Sequence, residues 1–117
     1  MAKESNGNQK AIAPKFRKLL KTSMKILYDH DVSYVGLYVF GSVARGDARK
    51  DSDIDLCLIV DDKHPSPISV QRKATALIGL AGIPADIVAV SSSDFKNDMV
   101  SPLLHEIRTD GIYFKRK

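Results

Sequence analysis

The stretch FGSVARGDARKDSDIDL, residues 40–56, decides the fold because it joins two segments with the composition of buried strands. On its N-terminal side lies YVGLYVF (34–40), and at its C-terminal end lies DIDLCLIV (53–60); both are rich in β-branched, aromatic or other apolar residues. Gly41 and Ser42 close the first strand, and a short helical or turn segment follows. The ten residues 43–52 suffice for a short crossover, so we expect the two strands to be neighbours.

Helical periodicity flanks this unit on both sides. A first helix begins near Pro14, and a second follows a long turn and ends at Gly82. A third strand spans 85–90, a last helix that Pro102 kinks or divides comes next, and GIYFK (111–115) adds a short edge strand. The apolar positions of the first helix are Phe16, Leu19, Leu20, Met24 and Leu27, and those of the second are Val70, Ala74, Leu77, Ile78 and Ala81.

This order of elements predicts one α/β (α+β) domain in which a mixed or antiparallel β-sheet packs against helices. The polar opening residues lack periodicity, so we expect a flexible leader over 1–13 and the domain over 14–117. The chain has 117 residues, which suits one domain and not two.

Charge and composition exclude several classes of protein. The net charge of +4 resides in the ends: residues 1–15 carry +2 and the last three carry +3, which leaves −1 for 16–114. The body therefore lacks the charge pattern of a nucleic-acid binder. No apolar run is long enough to span a membrane, and the single cysteine, Cys57, excludes an intramolecular disulfide. We expect a reduced, cytoplasmic protein in which Cys57 is a buried structural thiol.

Two acids stand at the start of the second strand. Asp53 and Asp55 lie two residues apart, so their side chains project from the same face, roughly 7 Å apart along the strand. Two neighbouring carboxylates repel one another, and Mg²⁺ relieves that cost because it binds carboxylate, water and phosphate oxygens. Two solvated acids at a strand entry are the plain alternative, which an Asp-x-Asp motif alone does not exclude.

The companion residues favour a site. Backbone N–H groups at Gly41 and Ser42, with the Ser42 hydroxyl, suit phosphate oxygens, although Gly-Ser also serves an ordinary turn. Asp86 opens the third strand, where an acid among apolar residues needs a partner. If this strand lies beside the second, the three carboxylates converge next to the turn. That is a two-metal arrangement for in-line displacement at phosphorus.

At these residues the sequence resembles a known family. Residues 40–56 with the Asp86 strand are similar to the signature of the minimal nucleotidyltransferases of the DNA polymerase β-like superfamily. That signature is a hydrophobic strand, Gly-Ser, about ten residues, Asp-x-Asp, and a third acid on a later strand. The resemblance implies a transferase that moves a nucleotide monophosphate, AMP from ATP before other NTPs, to a hydroxyl.

The resemblance also implies residue roles. Asp53, Asp55 and Asp86 would be catalytic and hold two Mg²⁺ ions, with Asp55 and Asp86 facing the attacking hydroxyl. Gly41 and Ser42 would bind the nucleotide phosphates. Arg45 would assist them, and a surface ion pair is its equally weighted alternative.

Such stand-alone domains resemble the antitoxin half of toxin–antitoxin pairs, in which the acceptor is a tyrosine of a helical toxin partner. A homodimer that builds the acceptor site is another arrangement. The alternative function is a binding module that neutralises its partner by contact with little or no transfer. An Asp-x-Asp glycosyltransferase would need a larger sugar-nucleotide domain, and His105-Glu106 is no zinc-protease motif because Thr109 stands where the second histidine would be.

Overall fold

A computed structural model describes residues 12–63 and 66–116 of the chain. Its elements follow one another as helices and strands that alternate, except that two helices, α4 and α5, come in succession. In chain order they are α1 (Pro14–Asp29), β1 (Gly36–Phe40), α2 (Gly41–Arg45), β2 (Ile54–Val60), α3 (Pro67–Leu80), β3 (Ala85–Ser91), α4 (Ser92–Asn97), α5 (Pro102–Asp110) and β4 (Ile112–Lys115).

The four strands form one mixed sheet in the order β3-β2-β1-β4. β1 pairs antiparallel with both β2 and β4, whereas β2 and β3 are parallel. The parallel pair needs the crossover that α3 provides, and the antiparallel pair β1–β2 needs only the short connection through α2. The predicted fold class and the adjacency of β1 and β2 are confirmed. β3 lies beside β2, which is the condition that the sequence left open for the acids to converge.

Helices cover both faces of the sheet. The even-numbered positions of β2, Ile54 to Val60, belong to the larger core with α1 and α3. The odd positions Cys57 and Ile59 face a smaller core with α5. Burying each large aliphatic side chain stabilises the fold by about 1.5–3 kcal/mol. β2 is therefore buried on both faces along most of its length, and a charge on it stands out.

Helix α1 follows its predicted periodicity: Phe16, Leu20 and Leu27 are buried, and the cationic side of the helix is exposed. Its Lys25 pairs with Asp29 at 2.9 Å in an exposed ion pair. In α3 the buried positions are Val70, Ala74 and Ile78. Ala81, predicted on the same apolar stripe, is exposed because the helix ends before it.

The last predicted helix is two helices. α4 ends at Asn97, and the loop 98–101 separates it from α5, where Pro102 occupies the first turn because no N–H is needed there. Ser101 caps α5 by accepting a hydrogen bond from Leu104 N, and Ser91 caps α4 in the same way with Asp94 N. Met99, expected on the apolar face of a helix, is 73% exposed on the connecting loop.

Three remaining predictions concern the ends and the membrane. Residues 1–11 of the predicted leader lie outside the described residues. So does His64, which the sequence places in the long turn before α3. Ile12, also assigned to the leader, is fully buried in the larger core, while the boundary at residue 14 stays a prediction. In the described part of the chain, every helix is too short or too polar to cross a membrane.

Candidate active site

The site is built at one end of the sheet, where β1 ends and β2 and β3 begin. Asp55 of β2 is the register partner of Asp86 of β3. Partners in parallel strands project from the same face, and neighbouring strands are about 4.8 Å apart. Asp86 therefore stands beside Asp55, on the α5 side of the sheet. Asp55 is half-buried and Asp86 is exposed.

Gly41 makes room for the Asp55 carboxylate. Phe40, the last residue of β1, pairs with Asp55, so the chain turns into α2 directly beside this acid. Gly41 has φ of 73°, and a Cβ built there would overlap Asp55 Oδ2. Both the left-handed conformation and the close approach require glycine. The Gly-Ser turn predicted from the sequence is thus packed against the predicted acid.

The electrostatic environment of Asp55 is unfavourable to its charge. Burial and, in descending order, the carboxylates of Asp86, Glu106 and Asp53 together raise its pKa to about 6. Arg45 opposes them. The described residues therefore leave the negative charge of the cluster only partly compensated, as expected for a site that takes up a cation.

Glu106 is the acid that the sequence did not single out. It lies on α5, which crosses the same face of the sheet, and its Oε2 is 3.5 Å from Arg45 Nη1. Arg45 Nε is 3.5 Å from Asp47 Oδ2, so the guanidinium lies between two carboxylates. The surface ion pair predicted as one role of Arg45 is therefore present. This link joins α2 to α5 beside Asp55.

The other predicted residues flank this centre. Asp53 precedes β2 and is exposed, and its negative charge helps to raise the pKa of Asp55. Ser42 is half-buried in the first turn of α2, where its carbonyl accepts a hydrogen bond from Asp47 N at 3.0 Å. Cys57 is fully buried in the smaller core, and burial raises its pKa to about 12. It is an inert thiol behind the acids.

The donor set suits a divalent cation chemically. Asp55 and Asp86, register partners on neighbouring strands, offer hard oxygen ligands on one face of the sheet, and Gly41 leaves the room that the Asp55 carboxylate occupies. Over residues 12–63 and 66–116, however, no three His, Cys, Asp or Glu side chains already converge as a set of metal ligands. Two acids are brought together, and Asp53 stands to one side. The metal roles of all three stay predictions.

Comparison with known proteins identifies the family. The sequence profile of the nucleotidyltransferase domain matches residues 17–111. No curated protein sequence matches the chain. A structure described as a "putative nucleotidyltransferase from Sulfolobus solfataricus" aligns with a TM-score of 0.58 and 20% identity over 85% of this chain and 79% of that one.

Two toxin-antitoxin structures also align. A mutant of the toxin-antitoxin MntA-HpeT gives a TM-score of 0.50 and 20% identity over 83% of this chain and 72% of that one. A toxin-antitoxin with AMP-PNP gives 0.49 and 22% over 77% and 67%. These likenesses concern the fold. The profile spans β1, β2 and β3, ends just before β4, and includes every acid of the site, and the chain belongs to the nucleotidyltransferase domain family.

Proposed function

We propose that this chain transfers a nucleoside monophosphate, AMP from ATP in the first instance, to a hydroxyl group of an acceptor protein. The pairing of Asp55 with Asp86 beside the turn at Gly41 carries this proposal. The pair combines an acid in a crowded, half-buried position with an exposed one that an incoming hydroxyl can reach.

The reaction balances without a redox partner. The acceptor oxygen bonds to the α-phosphorus while the bond from that phosphorus to the α–β bridging oxygen breaks. Pyrophosphate leaves with the bonding electrons, and the hydroxyl proton passes to Asp86 or to solvent. Most of the catalytic effect then comes from positioning and from compensation of charge.

Each residue has a defined task in this scheme. Asp55 and Asp86, with Asp53, would hold Mg²⁺, which when bound neutralises charge on the phosphates. The backbone N–H groups and hydroxyl at Gly41-Ser42 would hold the β- and γ-phosphates. Arg45, already held beside the acids by Glu106, would turn toward a phosphate oxygen. Two Mg²⁺ ions and ATP complete the proposed assembly.

The proposed acceptor is a tyrosine of a protein partner related to helical toxins. This follows the resemblance of the sequence to antitoxin-type domains, and one fold neighbour is named as a toxin-antitoxin. The described domain offers a surface for a partner: Met99 and Val100 are 73% and 89% exposed. Arg108 braces their loop by donating hydrogen bonds to Phe95 O and Asp98 O.

The same loop favours a second candidate function, neutralisation of the partner by contact alone. One experiment separates the two. The purified chain is incubated with Mg²⁺, ATP labelled at the α-phosphate and a lysate of its source, beside Asp86→Asn and Met99→Ser variants. Transfer predicts label on a protein that Asp86→Asn abolishes. Binding of the partner without label, lost in Met99→Ser and kept in Asp86→Asn, would establish the contact function instead.

A further inference from the structure

The outer edge of β3 lacks most of the usual protections of an edge strand. β3 ends the sheet on one side and pairs with β2 without a bulge over all seven of its residues. Its segment ADIVAVS contains one charged residue, Asp86, and neither lysine nor proline. The opposite edge strand, β4, has four residues and carries Lys115. A long edge strand with so little charge pairs readily with another strand.

Hydrogen bonds show which groups of β3 point outward. Ile54 N donates to Pro84 O at 3.0 Å, so the even-numbered positions of this segment turn their backbone groups toward β2. Ala89 N instead donates to Gln71 Oε1 at 3.0 Å, which places odd positions on the outer side. In the described part of the chain, the outward N–H groups of Ala85 and Ile87 have no such partner.

The position of Asp86 connects this edge with the acids. Its side chain lies on the α5 face with Asp55. A strand added outside β3 would place alternate side chains on that same face, with Cβ atoms roughly 4.5–5.5 Å from those of β3. A residue opposite Asp86 would then present its side chain to the acid that we propose receives the acceptor hydroxyl. A strand bound at this edge would therefore lie directly beside the strand that carries Asp86.

We infer that the acceptor is bound as an extended segment that adds to β3, with its hydroxyl-bearing residue opposite Asp86. This inference rests on the proposed function and specifies the form of the substrate: a peptide segment in strand conformation, neutral or basic on the face that meets the acids. Backbone hydrogen bonds between the segment and β3 supply affinity, and the register of the pairing decides which hydroxyl lies opposite Asp86.

A second copy of this chain fits the edge less well. Antiparallel pairing of two β3 strands about Ile87 would set the two Asp86 side chains on one face, as diagonal neighbours about 7–8 Å apart. Like charges would then face each other between two clusters that already carry uncompensated acids. A neutral or basic segment avoids this repulsion.

The test uses the full chain and a nine-residue peptide of alternating valine and threonine with a central tyrosine and terminal lysines. Amide hydrogen exchange at Ile87 is measured without nucleotide, and AMP transfer to the peptide is measured with Mg²⁺ and ATP. We expect exchange at Ile87 to slow about tenfold or more at saturation, because its N–H becomes hydrogen-bonded, and we expect label on the peptide tyrosine.

Matched proline variants locate the binding edge. Ala85→Pro removes an outward donor from β3 and should weaken peptide binding about fivefold, the usual effect of one hydrogen bond. Lys115→Pro removes an outward donor from β4, since Arg116 N faces β1 by donating to Val35 O, and should leave binding unchanged. Gln71→Ala frees Ala89 N and should tighten binding.

The outcomes distinguish a failure of the edge-binding inference from a failure of the transferase proposal on which it rests. Protection of Ile87 without transfer supports the edge and contradicts the transferase proposal. Transfer without protection, or equal effects of the two proline variants, overturns the edge and leaves the transferase. Absence of peptide binding overturns the edge, and so does protection of Ile87 that rises with protein concentration alone, which would indicate self-pairing.

Discussion

At the scale of single residues, Gly41 ties the backbone to the site. Its φ of 73° is left-handed, and a side chain there would meet Asp55 Oδ2. Gly82 has nearly the same φ, 75°, with open space around it. Gly82→Ala should therefore cost about 1 kcal/mol of unfolding free energy from backbone strain alone. Gly41→Ala should cost about 1–3 kcal/mol more because the carboxylate must shift.

Urea denaturation of both variants measures the difference. Equal losses would show that Asp55 accommodates the new methyl group without strain. Loss of Mg²⁺–ATP binding in Gly41→Ala, and its retention in Gly82→Ala, is the accompanying functional expectation.

The charge of Asp55 makes stability depend on pH. Its pKa is raised to about 6 by burial and by neighbouring acids, so the folded state binds the proton more tightly than the unfolded chain. The stabilising contribution is complete below pH 4 and is lost as pH rises through about 6. Asp55→Asn imitates the protonated acid. In the absence of metal, the unfolding free energies of the variant and the wild type should therefore diverge as pH rises over this range.

Because Asp55 is partly exposed, this gap in unfolding free energy should reach only about 1–2 kcal/mol, with Asp55→Asn the more stable protein. Denaturation in steps from pH 4 to pH 8 measures it. Asp51→Asn, which removes an exposed acid outside the cluster, is the matched control and should show no gap that grows over this range. A constant gap in Asp55→Asn would contradict the raised pKa.

At the scale of elements, Glu106 links α5 to the site through Arg45. The pair is exposed, so Glu106→Gln should change the unfolding free energy by less than about 1 kcal/mol. It should nevertheless lower the pKa of Asp55, because it removes one of the carboxylates that raise it. Titration of the Asp55 carboxyl carbon by NMR measures this. Asp47→Asn removes the other carboxylate on Arg45 and should not lower the pKa of Asp55; an equal fall in both variants would assign the effect to Arg45 instead.

The helices and strands also show which parts of the fold and of the site could be predicted from the sequence. β2 and the Asp-x-Asp at its start could be predicted because alternation and composition are local properties. The pairing of Asp55 with Asp86 needed only the adjacency of two strands. Glu106 could not be predicted, because it joins the cluster only when α5 packs across the sheet fifty residues later. Pro102 indicated a break between α4 and α5, but periodicity misassigned Met99, since apolar spacing continues through the exposed loop.

At the scale of the whole molecule, the fold and the ligand should stabilise each other. The acids at the sheet end repel one another in the folded chain, whereas they are separated in the unfolded chain, so a ligand that compensates their charge binds the folded state alone. At a hundred times its Kd, Mg²⁺ with a non-hydrolysable ATP analogue should add about 2.7 kcal/mol of unfolding free energy. For a domain of this size that corresponds to about 10 °C in Tm.

Calorimetry with and without Mg²⁺ tests this, with Asp55→Asn as the comparison. The variant begins with the higher Tm above pH 6 because its cluster carries less charge, and it should then gain little from Mg²⁺ and the analogue together. Wild type should overtake it once the ligand is present. This crossing of the two proteins is specific to a site whose charge destabilises the empty fold and binds the ligand. Equal gains in both proteins would place the nucleotide elsewhere on the chain.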